Sequence, residues 1–220
     1  MACCCSNVGD AAERQFSEHK ATKDLAQYRA RGPGQTTRLL LDGLARAGSL
    51  HGQLIDIGSG IGALTFELLD RGLTSAIGVD LSTAHVATAS KEASRRGRSD
   101  STRFVQGDFL DVASQLPSAD IVVLDRVVCC YPEYERFLDE SLRYAQRYFA
   151  FSYPKDRWYV RAWVGLENLG RQITRNEFRS FVHPVAAMES VIHRSGFKRL
   201  SRSWTRIWCA DVYGRSSAAL

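Results

Sequence analysis

Leu54-Ile55-Asp56-Ile57-Gly58-Ser59-Gly60-Ile61-Gly62 decides how the rest of this chain is read. A short, largely apolar run of the kind that fills a buried strand passes directly into three glycines spaced two apart, and a helical stretch follows. Glycines at such a junction let the backbone turn tightly into the helix and approach a ligand closely. Taken alone, the pattern also fits a plain strand-to-helix turn or the loop of a dinucleotide enzyme.

Outward from that stretch the chain keeps a regular rhythm. Strands are expected at 54–57, 75–80, 102–106, 120–124 and 148–152, with helices at 62–70, 83–96 and 133–148 between them, Ser82 capping the second. Such alternation predicts an α/β fold, a mostly parallel sheet wound on both faces by helices. Before it stand a tail at 1–10 and helices at about 11–31 and 36–47, separated by Gly32-Pro33-Gly34. After it comes an insertion at 154–183 with a helical centre at 158–173, then a helix at 184–194 and two antiparallel β runs at 197–203 and 205–213. The expected division is an N-terminal tail and helical extension, 1–50, joined to one domain at 51–220.

Composition bounds the rest. A chain of 220 residues, 45% hydrophobic and 24% charged, has the make-up of an ordinary globular domain, which excludes disordered, collagenous and disulfide-scaffold classes. No apolar run approaches the ~18 residues of a membrane span, and no signal-peptide layout opens the sequence, so a cytoplasmic protein is expected. A net charge of +5 favours anionic partners without implying nucleic acid. The six cysteines include Cys3, Cys4 and Cys5 in a row and Cys129 beside Cys130; without a C-x-x-C pair they read as reduced thiols and no metal is expected. The N-terminal triplet also admits soft-metal binding or lipidation.

Two acids extend the first observation. Asp80 ends the second strand, where a carboxylate can accept from both hydroxyls of a ribose. Gly107-Asp108-Phe109 ends the third, where an acid and an aromatic ring could hold and stack an adenine. In a parallel sheet these strand ends share the carboxyl edge, the side on which such folds bind ligands.

DIGSGIG, GVDLS, QGDF and ADIVVLDR resemble the successive motifs of class I S-adenosylmethionine-dependent methyltransferases, over about residues 50–153. The resemblance implies a Rossmann-like, doubly wound sheet of seven strands with an antiparallel last strand. It further implies that S-adenosyl-L-methionine is the cofactor and would lie against Asp56, Gly58, Ser59, Gly60, Asp80, Leu81, Asp108, Phe109 and Asp125. Within that set Asp56 would face the amino group, Asp80 the ribose and Asp108 the adenine, with Phe109 beside the ring. A short-chain dehydrogenase fits poorly, because no tyrosine has a lysine four residues on.

Transfer of a methyl group from sulfur requires mainly alignment and exclusion of water; a base is needed only when the acceptor arrives protonated. His183, Tyr131 and Arg126 are the candidate catalytic groups, and Tyr153, Arg157, Trp158 and Arg161 the candidate acceptor-binding residues. The 158–173 helix carries an apolar stripe that either packs on the core or forms a lid over an apolar, anionic acceptor. Ser-Tyr-Pro, a helical insertion and His-Pro are similar to magnesium-protoporphyrin O-methyltransferases and their bacterial relatives, which implies a carboxyl group on a flat ring as one acceptor. Methyl transfer to a small anionic or aromatic acceptor, with O-methylation favoured, is therefore expected. An RNA or protein methyltransferase, or a non-catalytic scaffold of the same fold, stands as the alternative.

Overall fold

The computed structural model describes residues 15–216; Cys3, Cys4, Cys5 and the expected tail lie outside them. Two helices, α1 (Glu18–Arg31) and α2 (Gln35–Ala47), precede the sheet. There follow β1 (Gln53–Ile57), α3 (Ala63–Asp70), β2 (Ser75–Asp80), α4 (Thr83–Arg95), β3 (Thr102–Gln106), a short α5 (Phe109–Val112) and β4 (Ala119–Leu124). The chain continues through α6 (Tyr134–Tyr144), β5 (Ala145–Pro154), α7 (Trp158–Ile173), α8 (Val185–Arg194), β6 (Phe197–Trp204) and β7 (Trp208–Arg215).

The seven strands lie in the order β3-β2-β1-β4-β5-β7-β6, with β7 antiparallel to both neighbours and the pairs among β1–β5 parallel. The chain winds outward from β1 to β3, then returns to β4 on the other side of β1. A crevice opens at that reversal, outside the carboxyl ends of the strands. Alternation along β4 fills both sides of the sheet: Ile121 and Val123 pack with leucines of α2 and α3, while Val122 and Leu124 pack with Phe137 of α6 and Met188 and Ile192 of α8.

α1 is held on the outside of α4 by charge as well as by Ala21 and Tyr28. Glu92, fully buried, accepts from Arg95, Arg29 and Arg96, and these guanidinium groups keep its carboxyl well below the usual carboxylate range. A buried carboxylate without such partners would be costly, and Arg29, the one of the three that comes from α1, ties that helix to α4 through it.

Several expected boundaries differ, two of them for reasons the hydrogen bonds show. The helix expected to reach 148 stops at Tyr144, because Ala145 already pairs with Ala119 in the sheet and Arg215 donates to the carbonyls of Ala145 and Gln146. The last strand starts at Trp208 rather than 205, since Thr205 Oγ1 accepts from the N–H groups of Ile207 and Trp208 and makes those residues a turn.

Candidate functional site

The glycine loop crosses the carboxyl ends of β1 and β2. Gly58 (φ 70°) and Ser59 donate their N–H groups to the Val79 carbonyl at 2.7 and 3.0 Å. A Cβ on Gly58 would lie 2.2 Å from Cγ2 of Val127, so both the left-handed backbone and the close packing require glycine. At Gly60 (φ 54°) the requirement differs: nothing lies within 4 Å of where a Cβ would stand. In the same loop Ser59 Oγ is buried with no hydrogen-bond partner among the described residues, 2.8 Å from where a Cβ on Gly78 would stand. A cradle of this form fits a ligand laid across the loop.

Four carboxylates surround the loop. Asp80, nearly buried, accepts from Gly60 N–H at 2.7 Å and Ser82 N–H at 2.9 Å, one on each oxygen, leaving further lone pairs for a ligand. Asp56 is buried at the end of β1, where Thr65 Oγ1 donates to it at 2.8 Å. Burial, with the charges of Asp125 and Asp80 added to it, pushes its carboxyl up to about 7. Asp125, just past β4, accepts from the hydroxyls of Thr37 and Ser152, both at 2.6 Å. Asp108 accepts from Leu110 N–H and the Tyr131 hydroxyl on Oδ1, while Oδ2 has no protein partner among the described residues. Mutual repulsion of these acids makes the crevice favour a cation. Leu81 borders the same edge, with its carbonyl accepting from Gln106.

Phe16, His85 and Phe178 form a roof at the end of β2. The Phe16 ring lies 5.6 Å from His85 and edge-on to Phe178 at 5.4 Å, and its carbonyl accepts from Ser82 Oγ. Asn176 donates to Gln15 across the same seam. His85 is buried between Asp24 of α1 (3.7 Å) and Asp80 (3.8 Å). Burial by itself would press its pKa down; the two carboxylates more than offset that and lift it to about 9. The N-terminal helix therefore reaches the acid at the end of β2 through one imidazolium.

Several sequence expectations are corrected. Phe109, only 1% exposed, lies in the core with its ring edge-on to Phe137 and Tyr144, so it offers no face to an adenine. It turns inward because Asp108 caps α5 and Phe109, the first residue of that helix, is directed under the sheet edge. Tyr153, also 1% exposed, is no acceptor-binding residue: its hydroxyl donates to Asp211 and accepts from Arg202 beneath β6 and β7. Burial and the Asp211 charge push that phenol far above its ordinary value. Arg157 and Trp158 point to solvent, and Arg161, also outward, is paired with Asp156 at 2.7 Å. The apolar stripe of α7 thus neither packs on the core nor covers the crevice.

The candidate bases are committed elsewhere too. His183 is buried; its Nε2–H donates to the Val128 carbonyl at 3.1 Å, its ring packs on Tyr134, and burial holds its pKa below the usual imidazole value. Tyr131 stacks on Phe137 at 3.8 Å and donates to Asp108, and burial with that carboxylate pushes its phenol well up. The thiols of Cys129 and Cys130 turn toward the Arg126 carbonyl, and the Cys129 side chain and burial together push Cys130 upward. Arg126 differs from all of these. It holds a left-handed backbone (φ 63°), donates its N–H to Ser152 Oγ, and exposes a guanidinium with no partner among the described residues.

Thr37, Ser152 and His85 are the site residues that sequence reasoning missed. Thr37 sits in a helix far from the motif and carries no signal. His85 had one, since a histidine in the first turn of the helix after Asp80 stands beside that acid.

A family model described as a methyltransferase domain matches residues 55–147, from β1 into β5. A search of the curated proteins found no match. Among solved structures, magnesium protoporphyrin IX methyltransferase from Synechocystis PCC 6803 with bound SAM superposes with a TM-score of 0.68 at 18% identity, covering 95% of this chain and 97% of that one. An O-methyltransferase family protein from Burkholderia thailandensis gives 0.71 at 16% identity, over 93% and 63%. The N-methyltransferase NodS from Bradyrhizobium japonicum WM9, in complex with S-adenosyl-L-homocysteine, gives 0.67 at 13% identity, over 96% and 100%. At these identities the likeness is one of fold.

Proposed function

Taking residues 55–147 as the methyltransferase domain of an S-adenosylmethionine-dependent enzyme, we propose that the chain methylates the carboxylate oxygen of a small, flat or aromatic acid. The observation that carries this reading is the contrast at the end of β4, where a free guanidinium stands among capped bases. Arg126 offers an unpaired cation, while His183, Tyr131 and the Cys130 thiol are buried, bonded or shifted away from accepting a proton near neutrality. A carboxylate arrives ionised and needs no base, only orientation. Arg126 supplies that orientation by pairing with the acid.

When bound, S-adenosylmethionine supplies an electrophilic methyl group on a sulfonium. On this side of the reaction Gly58, Ser59 and Gly60 provide the backbone cradle, and the unpartnered Ser59 hydroxyl gains its hydrogen bond. Asp80 and Leu81 take the ribose edge, and Asp108 uses Oδ2 for the base. Asp56 and Asp125 stabilise the positive end, where their mutual repulsion favours a cation. The roof of Phe16, His85 and Phe178 keeps water out, with α1 and α2 acting as a cover to the sheet that follows them. The cytoplasm is the proposed site of action, consistent with the free thiols of Cys129, Cys130 and Cys209.

A labelled-methyl screen of aromatic carboxylates, phenols and amines tests the acceptor. Carboxylates should be turned over at a rate that stays flat above the acceptor's own pKa, and Arg126→Gln should lower kcat/KM by roughly ten- to a hundredfold, the loss of one charged hydrogen bond. Turnover of phenols or amines alone would overturn the carboxylate reading. Calorimetry that finds no binding of S-adenosylhomocysteine would remove the cofactor assignment beneath it.

A further inference from the structure

Six of the eight exposed large hydrophobic side chains among the described residues lie on α7. Trp158, Ala162, Leu166, Leu169 and Ile173 follow one another at steps of four, four, three and four, which places them on a single helix face. Trp158 is 81% exposed, Ile173 75%, and Leu166 68%. At the N-terminal end of the helix the face is extended by Trp204, 64% exposed, on the β6–β7 hairpin. The two elements are tied together: Tyr159 donates its hydroxyl to the Arg206 carbonyl, Lys155 N–H donates to the Ile207 carbonyl, and the Lys155 ammonium lies 5.8 Å from the Trp204 ring centroid.

This face cannot roll inward at little cost, because the opposite face is engaged. Val160 and Val164 are buried, Asn168 Nδ2 donates to the Ser180 carbonyl and its Oδ1 accepts from Ser180 N–H, and Arg171 donates to Asn168 and the Ser180 hydroxyl. A lid movement that turned the stripe toward the crevice would break all of these. The stripe is therefore built to face outward, where an apolar surface of this size is costly unless something covers it.

The rim identifies the occupant. On the outward side, residues 155–175 together with Arg206 carry five cations, Lys155, Arg157, Arg161, Arg175 and Arg206, against two acids, Asp156 and Glu167, while Arg171 turns inward to Ser180. A second copy of this chain would bring like charges together across a two-fold contact. An anionic bilayer surface meets the same rim with opposite charge, and tryptophans at the end of an apolar helix face are the side chains that settle at the headgroup boundary. No helix of the described residues is long and apolar enough to cross a membrane, so the mode is lying on the surface rather than spanning.

We infer that α7 and the β6–β7 hairpin tip form a docking surface for an anionic lipid bilayer. Leucine, isoleucine and tryptophan side chains enter the headgroup boundary, and Lys155, Arg157, Arg175 and Arg206 pair with lipid phosphates.

The test is sedimentation of the full chain with vesicles of phosphatidylcholine and phosphatidylglycerol at about three to one, against phosphatidylcholine alone, at about 0.1 M salt. Tryptophan emission is read in the same samples. The protein should partition onto the anionic vesicles, its emission should move to shorter wavelength, and added salt should weaken the interaction. Leu166→Ser, Leu169→Ser and Ile173→Ser combined should weaken partitioning at least about tenfold. All three residues are exposed, so the variant should keep its melting temperature and its binding of S-adenosylhomocysteine. That separates failure here from failure of the methyl-transfer reading. Unchanged partitioning of the triple variant, equal binding to both vesicles, or no binding to either would each overturn the inference. So would a wild-type dimer that the same substitutions convert to monomer.

Discussion

His85→Gln should remove most of the loss of stability that this protein suffers between pH 6 and pH 9.5. His85 sits in the first turn of α4, 5% exposed, and the charged and titratable groups facing it are Asp24 from α1 and Asp80 from β2, with Lys20 pairing Asp24 from behind. Its pKa is raised in the folded state from 6.5 to about 9. A group raised in this way contributes stability that is fully present below its unfolded pKa and is lost as pH rises through its folded pKa. The gap between 6.5 and about 9, at about 1.4 kcal/mol for each pH unit, corresponds to about 3–4 kcal/mol. Asp24, whose pKa is lowered mainly by His85 and Lys20 against the effect of burial, acts at the other end, contributing above its ordinary value and losing that as pH falls. The assay is urea denaturation of wild type and variant at the two pH values, comparing the difference of differences. Asp56 titrates alike in both proteins and cancels. If the variant loses as much stability as the wild type over this range, the imidazolium is not held between the two carboxylates and α1 is not latched to Asp80. Ring-proton resonances of His85 still titrating near 6.5 would refute the same reasoning independently.

Two further outcomes follow from the glycine loop and its acids. Asp56 is raised from 3.8 to about 7, so its contribution to stability is present below 3.8 and is lost as pH rises through 7; Asp56→Asn should flatten the stability profile between pH 4 and 8, and an unchanged profile in denaturation curves would count against the buried carboxyl. Gly58→Ala places a Cβ 2.2 Å from Val127 at φ 70°, and should cost about 2–4 kcal/mol in thermal or urea unfolding; a loss below about 0.5 kcal/mol would show that the loop relaxes freely.

The rhythm of strands and helices and the glycine loop were readable from the chain because each depends on neighbours in sequence; the seven-stranded sheet was implied only by the resemblance, and its order β3-β2-β1-β4-β5-β7-β6 is a long-range property. Gly58 precedes a helix and follows a strand, and its backbone requirement is local. The same holds for Asp80, which ends a strand and caps a loop within a few residues. Phe109 and Tyr153 were misread for a related reason: both follow or end a strand at the carboxyl edge, yet which way a ring turns there is settled by packing partners far along the chain.

By its order of residues alone this protein is an α/β chain that gathers glycines and carboxylates at one sheet edge, because strand periodicity and turn chemistry are short-range. Tertiary structure decided which groups remain free at that edge. Thr37 reaches Asp125 from a helix 88 residues away, and Asp24 reaches His85 from the N-terminal cover. His183, promising as an isolated histidine, is buried with its Nε2–H committed to the Val128 carbonyl, whereas Arg126 has no side-chain partner among the described residues. The stripe of α7 shows the same division. Its spacing is a property of the sequence, but its outward direction follows from the hydrogen bonds of Asn168 and Arg171 to Ser180, which hold the polar face against the body of the protein.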